Sequence, residues 1–167
     1  MATVPCDIDP AERARAKAPH ELFLANLIGN HILMAVAAGG IAGSMPVALV
    51  AVPLISFCVI GFTLWRARQA RCRDPWYVRC HWYLAARRSG WFLGMLGFLV
   101  VMALTGWAAH AHAGLIKEAA IAWVVGAGIL PTMVAVLGLI LVESEALHQA
   151  GQARLPAWVV ARFPPPC

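Results

Sequence analysis

Four long apolar stretches without a single Asp, Glu, Lys or Arg limit the fold of this chain more than any other feature. They cover residues 22–43, 45–65, 89–107 and 119–142, and each is 19 to 24 residues long. Because a helix rises about 1.5 Å per residue, about 20 residues cross the ~30 Å hydrocarbon core of a bilayer. The stretches are continuously apolar and do not alternate, which argues against membrane strands. We therefore predict an all-α polytopic membrane protein with four transmembrane helices in an antiparallel bundle.

The composition agrees with a single integral membrane domain over residues 1–167. Hydrophobic residues make up 61% of the chain and charged residues 13%, whereas soluble domains average about 45–50% and about 25%. The first apolar stretch is longer than the roughly 7–15 apolar residues of a signal peptide, and 21 residues of mixed charge precede it. We therefore expect this stretch to be a retained helix.

The positions of the basic residues predict the orientation. Apart from Lys117, all of the 13 Lys and Arg residues lie in the N-terminal tail 1–21, the loop 66–88 or the C-terminal tail 143–167. Four crossings place these three segments on one side, and basic residues in short loops stay in the cytoplasm. We predict an integral protein of the plasma membrane, the inner membrane of a bacterium, with both termini and the 66–88 loop in the cytoplasm.

The basic and aromatic 66–88 loop is the most distinctive segment outside the spans. Asp74 and Pro75 favour a helix start, so we predict that a short interfacial helix follows them. One face of this helix carries Trp76, Cys80, Tyr83 and Arg87. One interpretation is that the segment binds anionic lipid headgroups or an acidic partner subunit. The other is that it serves only to set the topology. The residues assigned to this surface are Arg71, Arg73, Trp76, Tyr77, Arg79, Trp82, Tyr83, Arg87 and Arg88.

The asparagine cluster, which consists of Asn26, Asn30 and His31, is the most polar group inside any predicted span. His31 lies about 14 Å into its span by helix rise. Polar groups at such depth need partners, and a similar depth favours Ser56 and Thr132 as those partners. The cluster is our candidate functional site, and it either joins helices through hydrogen bonds or takes part in transport.

Small residues and prolines within the spans add two further expectations. Gly90, Gly94 and Gly97 include one G-x-x-x-G motif, which favours close helix packing, either inside the bundle or against another subunit. Pro53 and Pro131 interrupt the second and fourth spans, and transporters use such breaks near binding sites.

The histidine and cysteine positions do not predict a complete metal or haem site. His110 and His112 form an incomplete outer site with only Glu118 nearby. No two spans carry facing histidines, so no cofactor is predicted for this chain alone, and a haem shared with another subunit stays open. Cys72 and the Cys80-His81 pair match no strong zinc spacing.

The sequence contains no recognisable enzyme motif: the P-loop, G-x-S-x-G and H-E-x-x-H patterns are all absent. This absence favours a protein that is not an enzyme, and no catalytic residue is assigned. Glu143 and Glu145 follow the last span directly, where they can pair with loop arginines.

These observations leave three hypotheses for the function. The first is an accessory or structural subunit of a larger inner-membrane complex, whose partners are the bilayer, anionic lipid headgroups and other integral membrane subunits. Nucleic acid is not expected as a partner, because the basic segment lies against the bilayer. The second is an oligomeric transporter or channel for small solutes or ions that uses the asparagine cluster. The third is a membrane redox or metal-binding protein.

Overall fold

The structure is a computed structural model that describes residues 2–41, 43–45 and 47–165. The described chain is mostly helical, and four of its helices are long and apolar enough to cross a membrane. The prediction of an all-α chain with four membrane-length helices is therefore confirmed. The helices are α1 (Pro10–Ile41), α2 (Ala48–Arg73), α3 (Trp76–Ala113), α4 (Lys117–Gly151) and the short α5 (Ala157–Arg162).

The long helices extend beyond the apolar stretches, because their polar ends pack on one another. The N-terminal tail is helical from Pro10 onward. The backbone N–H of Ala11 donates to the Asp9 carboxylate at 3.1 Å, and proline occupies the first turn, where its missing N–H needs no partner. At the other end of the chain, α4 continues nine residues past the predicted span to Gly151.

The middle of α1, Ala25–Met34, is a π-helix between the α-helical segments Pro10–Leu24 and Ala35–Ile41. A π-helix joins residues i and i+5 through its backbone hydrogen bonds, so positions five apart lie nearer the same side of the helix than they do in an α-helix. The π-helical segment contains the whole asparagine cluster. A second π-helical stretch, Val124–Ile129, lies in α4.

The predicted 66–88 loop is almost entirely helical. Only Asp74 and Pro75 separate α2 from α3, and α3 then runs without a break for 38 residues. The segment predicted as a separate short helix therefore forms the first turns of α3. The Asp74 side chain, which is 2% exposed, pairs with Arg15 and Arg66 at 2.6 Å each. The pair with Arg15 joins the turn between α2 and α3 to α1, and the pair with Arg66 joins it to α2.

The chain divides into two compact units. The first unit combines Met1–Ser89 with Ile140–Cys167, so it contains α1, α2, the beginning of α3 and the end of α4. The second unit, Gly90–Leu139, contains the remaining parts of α3 and α4. The two units differ in chemistry, because the first holds the buried charged groups and the second is almost wholly apolar.

In the first unit, a short ribbon joins the two ends of the chain. Strand β1 (Thr3–Pro5) pairs antiparallel with strand β2 (Arg154–Pro156), a contact that no sequence pattern predicted. Tyr77 is fully buried beside this region, and its hydroxyl lies 3.2–3.4 Å from the carbonyl oxygens of Gln149, Ala150 and Arg154. Tyr77 therefore joins the start of α3 to the end of α4, although the sequence assigned it to an interfacial surface.

In the second unit, two glycines permit close packing between helices. A Cβ atom on Gly106 would lie 2.8 Å from Cγ2 of Val124, and one on Gly128 would lie 3.0 Å from Cβ of Met102. Any larger residue at Gly106 would therefore force the helices apart. Large apolar side chains remain exposed on the helices of this unit, as in Leu93, Phe98, Val100, Leu104, Trp107, Leu130, Val134 and Leu137.

Candidate functional site

The asparagine cluster is assembled around one serine of α2. Asn26 Nδ2 donates to Ser56 Oγ at 3.2 Å, and Nε2 of His31 lies 2.9 Å from the same oxygen. Asn30 Nδ2 lies 2.8 Å from the carbonyl oxygen of Val52 and 3.2 Å from Asn26 Oδ1. The predicted partner Ser56 is thus in contact with the cluster. Thr132, the other predicted partner, donates to Gly128 O of its own helix at 2.8 Å.

The π-helical geometry explains why Asn26 and His31 reach the same hydroxyl. In an α-helix, residues five apart point in different directions, so α-helical geometry does not bring Asn26 and His31 to one partner. In the π-helical segment, residues five apart come closer to the same side of the helix, and both side chains reach Ser56. The cluster is a neutral hydrogen-bonded contact between α1 and α2, in which Asn30 Oδ1 is buried without a donor among the described residues.

A second polar group, which sequence reasoning did not assemble, is the most strongly charged buried site of the first unit. We call it the histidine cluster, and it consists of His20 from α1, His81 and Arg88 from α3, and Glu143 from α4. The side chains of His20, His81 and Glu143 are completely buried, whereas that of Arg88 is 17% exposed.

The Glu143 carboxylate holds the histidine cluster together. Its Oε1 lies 2.6 Å from His20 Nδ1, and its Oε2 accepts a hydrogen bond from Arg88 Nη1 at 2.6 Å. The other ring nitrogen of His20, Nε2, lies 2.8 Å from His81 Nδ1. The predicted pairing of Glu143 with a loop arginine is therefore found, and two imidazoles extend this pair into a chain of hydrogen bonds. Such chains in a low-dielectric interior stabilise the fold only when their members are paired.

The hydrogen-bonded chain from Glu143 to His81 is compatible with two arrangements of protons, and the second contains one proton more than the first. With a single proton on Nδ1, His20 donates to the carboxylate and accepts from His81. With protons on both nitrogens, His20 donates to the carboxylate and to His81 Nδ1. In both arrangements, Nε2 of His81 is buried and has no hydrogen-bond partner among the residues that the structure describes.

Burial keeps His81 in its neutral form. Residue 81 belongs to the part of α3 that precedes the apolar stretch 89–107, so it lies outside the predicted span. Burial lowers the pKa of His81 well below its usual range, and the charges of His20 and Arg88 lower it further. The histidine cluster therefore ends in a buried, neutral imidazole.

Comparisons with protein-family models, curated proteins and solved structures find no match for this chain. Its function must therefore be inferred from the chemistry of its own residues.

The position of the histidine cluster explains why the sequence did not reveal it. His20, Arg88 and Glu143 all lie within two residues of the end of an apolar stretch, where span prediction treats polar residues as flanks. A usable signal existed in α1, because His20 shares a helical stripe with Ala16, Phe23 and Leu27, all of which are fully buried. A histidine on a buried stripe needs a polar partner, and Glu143 is an acidic residue at a matching depth.

The residues predicted for the interfacial surface separate into buried and exposed groups. Trp82, like Tyr77, is buried in the first unit. Arg71, Arg73 and Arg87 are exposed, and Arg79, Tyr83 and Trp76 are half-buried. The structure therefore keeps a basic surface here, but two of its predicted aromatic residues belong to the core.

The glycines predicted to pack helices have open space beside them among the residues that the structure describes. A Cβ atom on Gly90, Gly94 or Gly97 would meet nothing within 4 Å. The close helix contacts described for the second unit use Gly106 and Gly128 instead.

The predicted outer histidines make separate contacts and do not converge. His110 Nδ1 lies 2.7 Å from the carbonyl oxygen of Leu115, whereas the ring of His112 packs edge-on against Trp107 at 5.9 Å. Within the described ranges, no three His, Cys, Asp or Glu side chains are arranged to hold a metal ion. His20 and His81 bond directly to each other at 2.8 Å, which is too close for a metal between them, since metal–nitrogen bonds are about 2.0–2.1 Å long.

Proposed function

We propose that this protein is an integral membrane accessory subunit that binds other membrane chains through the exposed glycine face of α3. The observation that carries this proposal is the open space around Gly90, Gly94 and Gly97. Small residues let helices approach closely in lipid, and no described residue lies within 4 Å of a Cβ atom built on any of these three glycines. The exposed apolar side chains around this face suit either lipid tails or apolar helices.

We propose the following topology for this subunit. Four helices form an antiparallel bundle in the plasma membrane, the inner membrane of a bacterium, with both termini in the cytoplasm. The first turns of α3 lie at the membrane interface. The pairing of β1 with β2 supports termini on one side, and the position of all basic residues except Lys117 supports the cytoplasm as that side.

Purification of the tagged full chain in a mild detergent tests the proposed function. We expect other membrane chains to co-purify in a fixed ratio, and Gly94→Leu should release them because a leucine prevents close approach. Gly138→Leu is the matched control, since Gly138 also has nothing within 4 Å of its Cβ position but lies on α4. Recovery of the wild-type chain as a single monodisperse species, or release by both variants alike, would contradict the proposal.

A second candidate function is transport of a small solute or ion by an oligomer, and the asparagine cluster favours it. Asn30 Oδ1 is a buried acceptor without a donor among the described residues, and a solute or ion can satisfy it. His31→Ala and Asn30→Ala should then abolish uptake or solute-dependent growth while the protein still inserts. If both variants leave the phenotype of the cell unchanged, this candidate is rejected.

A further inference from the structure

The arginines around the turn between α2 and α3 divide into two groups by their partners. Arg66 and Arg88 pair at 2.6 Å with the buried carboxylates of Asp74 and Glu143. These two arginines therefore neutralise buried charge. A second group forms no ion pair with any carboxylate that the structure describes: Arg68, Arg71, Arg79, Arg87 and Arg162.

These five arginines line one cavity of the first unit, which we call the arginine cavity, whereas Arg73, which also forms no described ion pair, lies outside its lining. The volume of the cavity is about 760 Å³, within the ~300–1,000 Å³ range of ligand sites. No Asp or Glu of the described chain contributes to the lining, so the positive charge is not neutralised. The other lining residues are mainly apolar or aromatic, namely Leu64, Ala67, Cys80, Tyr83, Ala86 and Phe163.

Three segments form the walls of the arginine cavity, and contacts with α3 hold the wall formed by the C-terminal residues in place. The segments are α2, the first turns of α3 and the residues at the end of α5. Trp76 Nε1 donates to the carbonyl oxygen of Phe163 at 2.8 Å, and the Phe163 ring packs against Tyr83 at 4.9 Å. The predicted face of Trp76, Cys80, Tyr83 and Arg87 thus contributes to this site.

Aromatic rings orient two of the arginines without neutralising them. The guanidinium of Arg87 lies 4.8 Å from the centre of the Trp158 ring, and that of Arg162 lies 5.8 Å from the centre of the Tyr83 ring. Such contacts hold a cation in position, and its N–H groups remain available to an anion. Guanidinium groups bind phosphate oxygens particularly well, because their N–H groups match the phosphate geometry.

The cavity joins an apolar region to a cationic one. Leu64 belongs to the apolar stretch 45–65, and Arg71 lies seven residues further along α2, about 10 Å away by helix rise. A ligand that fills the cavity therefore needs an apolar part and an anionic part at that separation. Inorganic phosphate has no apolar part to cover Leu64 and Ala67, and an acidic peptide has little.

We propose that the arginine cavity binds an anionic phospholipid. Its phosphodiester lies among the guanidinium groups, and an acyl chain lies along Leu64 and Ala67. Basic pockets at the cytoplasmic ends of membrane helices are suited to such headgroups. The proposal rests on the membrane embedding given under the proposed function, but it does not depend on partner subunits.

Titration of the delipidated full chain in detergent micelles tests this proposal, with bound lipid counted by native mass spectrometry. The probes are phosphatidylglycerol and phosphatidylcholine with identical acyl chains. The test variant is R71Q/R79Q, which removes one arginine from each helical wall. The control is R73Q/R154Q, which removes the same charge from exposed arginines outside the cavity lining. R68Q is a second test variant in case the double variant does not fold, which the unfolding midpoint will reveal.

We expect the wild-type chain to bind phosphatidylglycerol at least about tenfold more tightly than phosphatidylcholine. R71Q/R79Q should lose at least about tenfold in affinity for phosphatidylglycerol, R68Q about threefold, and R73Q/R154Q less than about twofold. Equal binding of the two lipids, or an equal loss in test and control variants, would overturn the proposal. So would displacement of the lipid by inorganic phosphate or by polyglutamate at equal concentration. Failure of the co-purification test alone would leave lipid binding unaffected.

Discussion

The histidine cluster and the asparagine cluster are both polar, both buried and both built on α1, yet they differ in charge. The histidine cluster contains a carboxylate, a guanidinium and two imidazoles, and three of its members lie at the ends of apolar stretches. The asparagine cluster lies within the stretch 22–43 and uses only amides, an imidazole and a hydroxyl. Of these two clusters, only the one at the ends of the apolar stretches contains full charges.

The free energy of burying charge accounts for this difference. Moving an ion into an apolar medium costs far more than moving an amide, and pairing only partly offsets that cost. At the end of a span, Arg88 keeps 17% of its side chain exposed while its guanidinium reaches the buried Glu143. Deeper in the span, neutral groups can be satisfied by one another. The clusters should therefore respond differently to substitution and to pH.

The largest effect is expected from Glu143→Ala. Removal of this carboxylate leaves Arg88 and His20 in buried positions without an acceptor, which should lower the free energy of unfolding by about 3–5 kcal/mol. Reversible unfolding in mixed detergent micelles measures the change. Glu145→Ala is the matched control, because Glu145 is exposed on the same helix, and its effect should be small. Equal effects of the two substitutions would show that the histidine cluster does not stabilise the fold.

A smaller effect is expected from Ser56→Ala in the asparagine cluster. Asn26 and His31 both lose a hydrogen-bond partner, but neither carries a full charge, so the loss should be about 1–3 kcal/mol. The same unfolding measurement applies, and Ser144→Ala at an exposed position of α4 is the control. A loss as large as that of Glu143→Ala would contradict the distinction between charged and neutral clusters.

A change of pH should act on the histidine cluster through His81. His81 faces His20 from α1 and the Tyr77 ring from its own helix, with Glu143 behind His20. Burial, and then the charges of His20 and Arg88, lower the pKa of His81 in the folded state. The unfolded chain therefore takes up a proton more readily, so stability should fall as the pH drops below about 6.5. One pH unit corresponds to about 1.4 kcal/mol, so the loss at pH 5.5 should be of that order.

The His81→Gln variant sharpens this test, because it removes the titrating ring and should make stability nearly independent of pH over the same range. His148→Gln is the control at an exposed position. If the wild-type chain and His81→Gln respond alike to pH, His81 is not the group that titrates.

The sequence predicted the asparagine cluster better than the histidine cluster, because the contacts of the histidine cluster join residues that are further apart along the chain. The apolar stretches and the depth of Asn30 and Ser56 are local properties, so the four helices and the contact with Ser56 could be predicted. The histidine cluster joins residues 61 and 123 positions apart, and no local pattern reports such a pairing. The π-helical segment was also missed, because the prediction from the sequence assumed α-helical geometry throughout α1. The π-helix changes which side chains of α1 share a side. Strands β1 and β2 are each three residues long, which is too short to show an alternating pattern in the sequence.

The final prediction concerns thiol labelling near the turn between α2 and α3, and we expect the labelling to have the smallest effect on stability because it removes no contact. Cys72 is exposed, whereas Cys80 is buried and burial raises its thiol pKa to about 11. Thiolates are the reactive form, so a maleimide should modify Cys72 and spare Cys80 in variants that each retain one cysteine. A membrane-impermeant maleimide should reach Cys72 only after the cells are permeabilised. Labelling of Cys72 in intact cells would place the histidine cluster at the outer face, where the excess of basic residues would have no explanation.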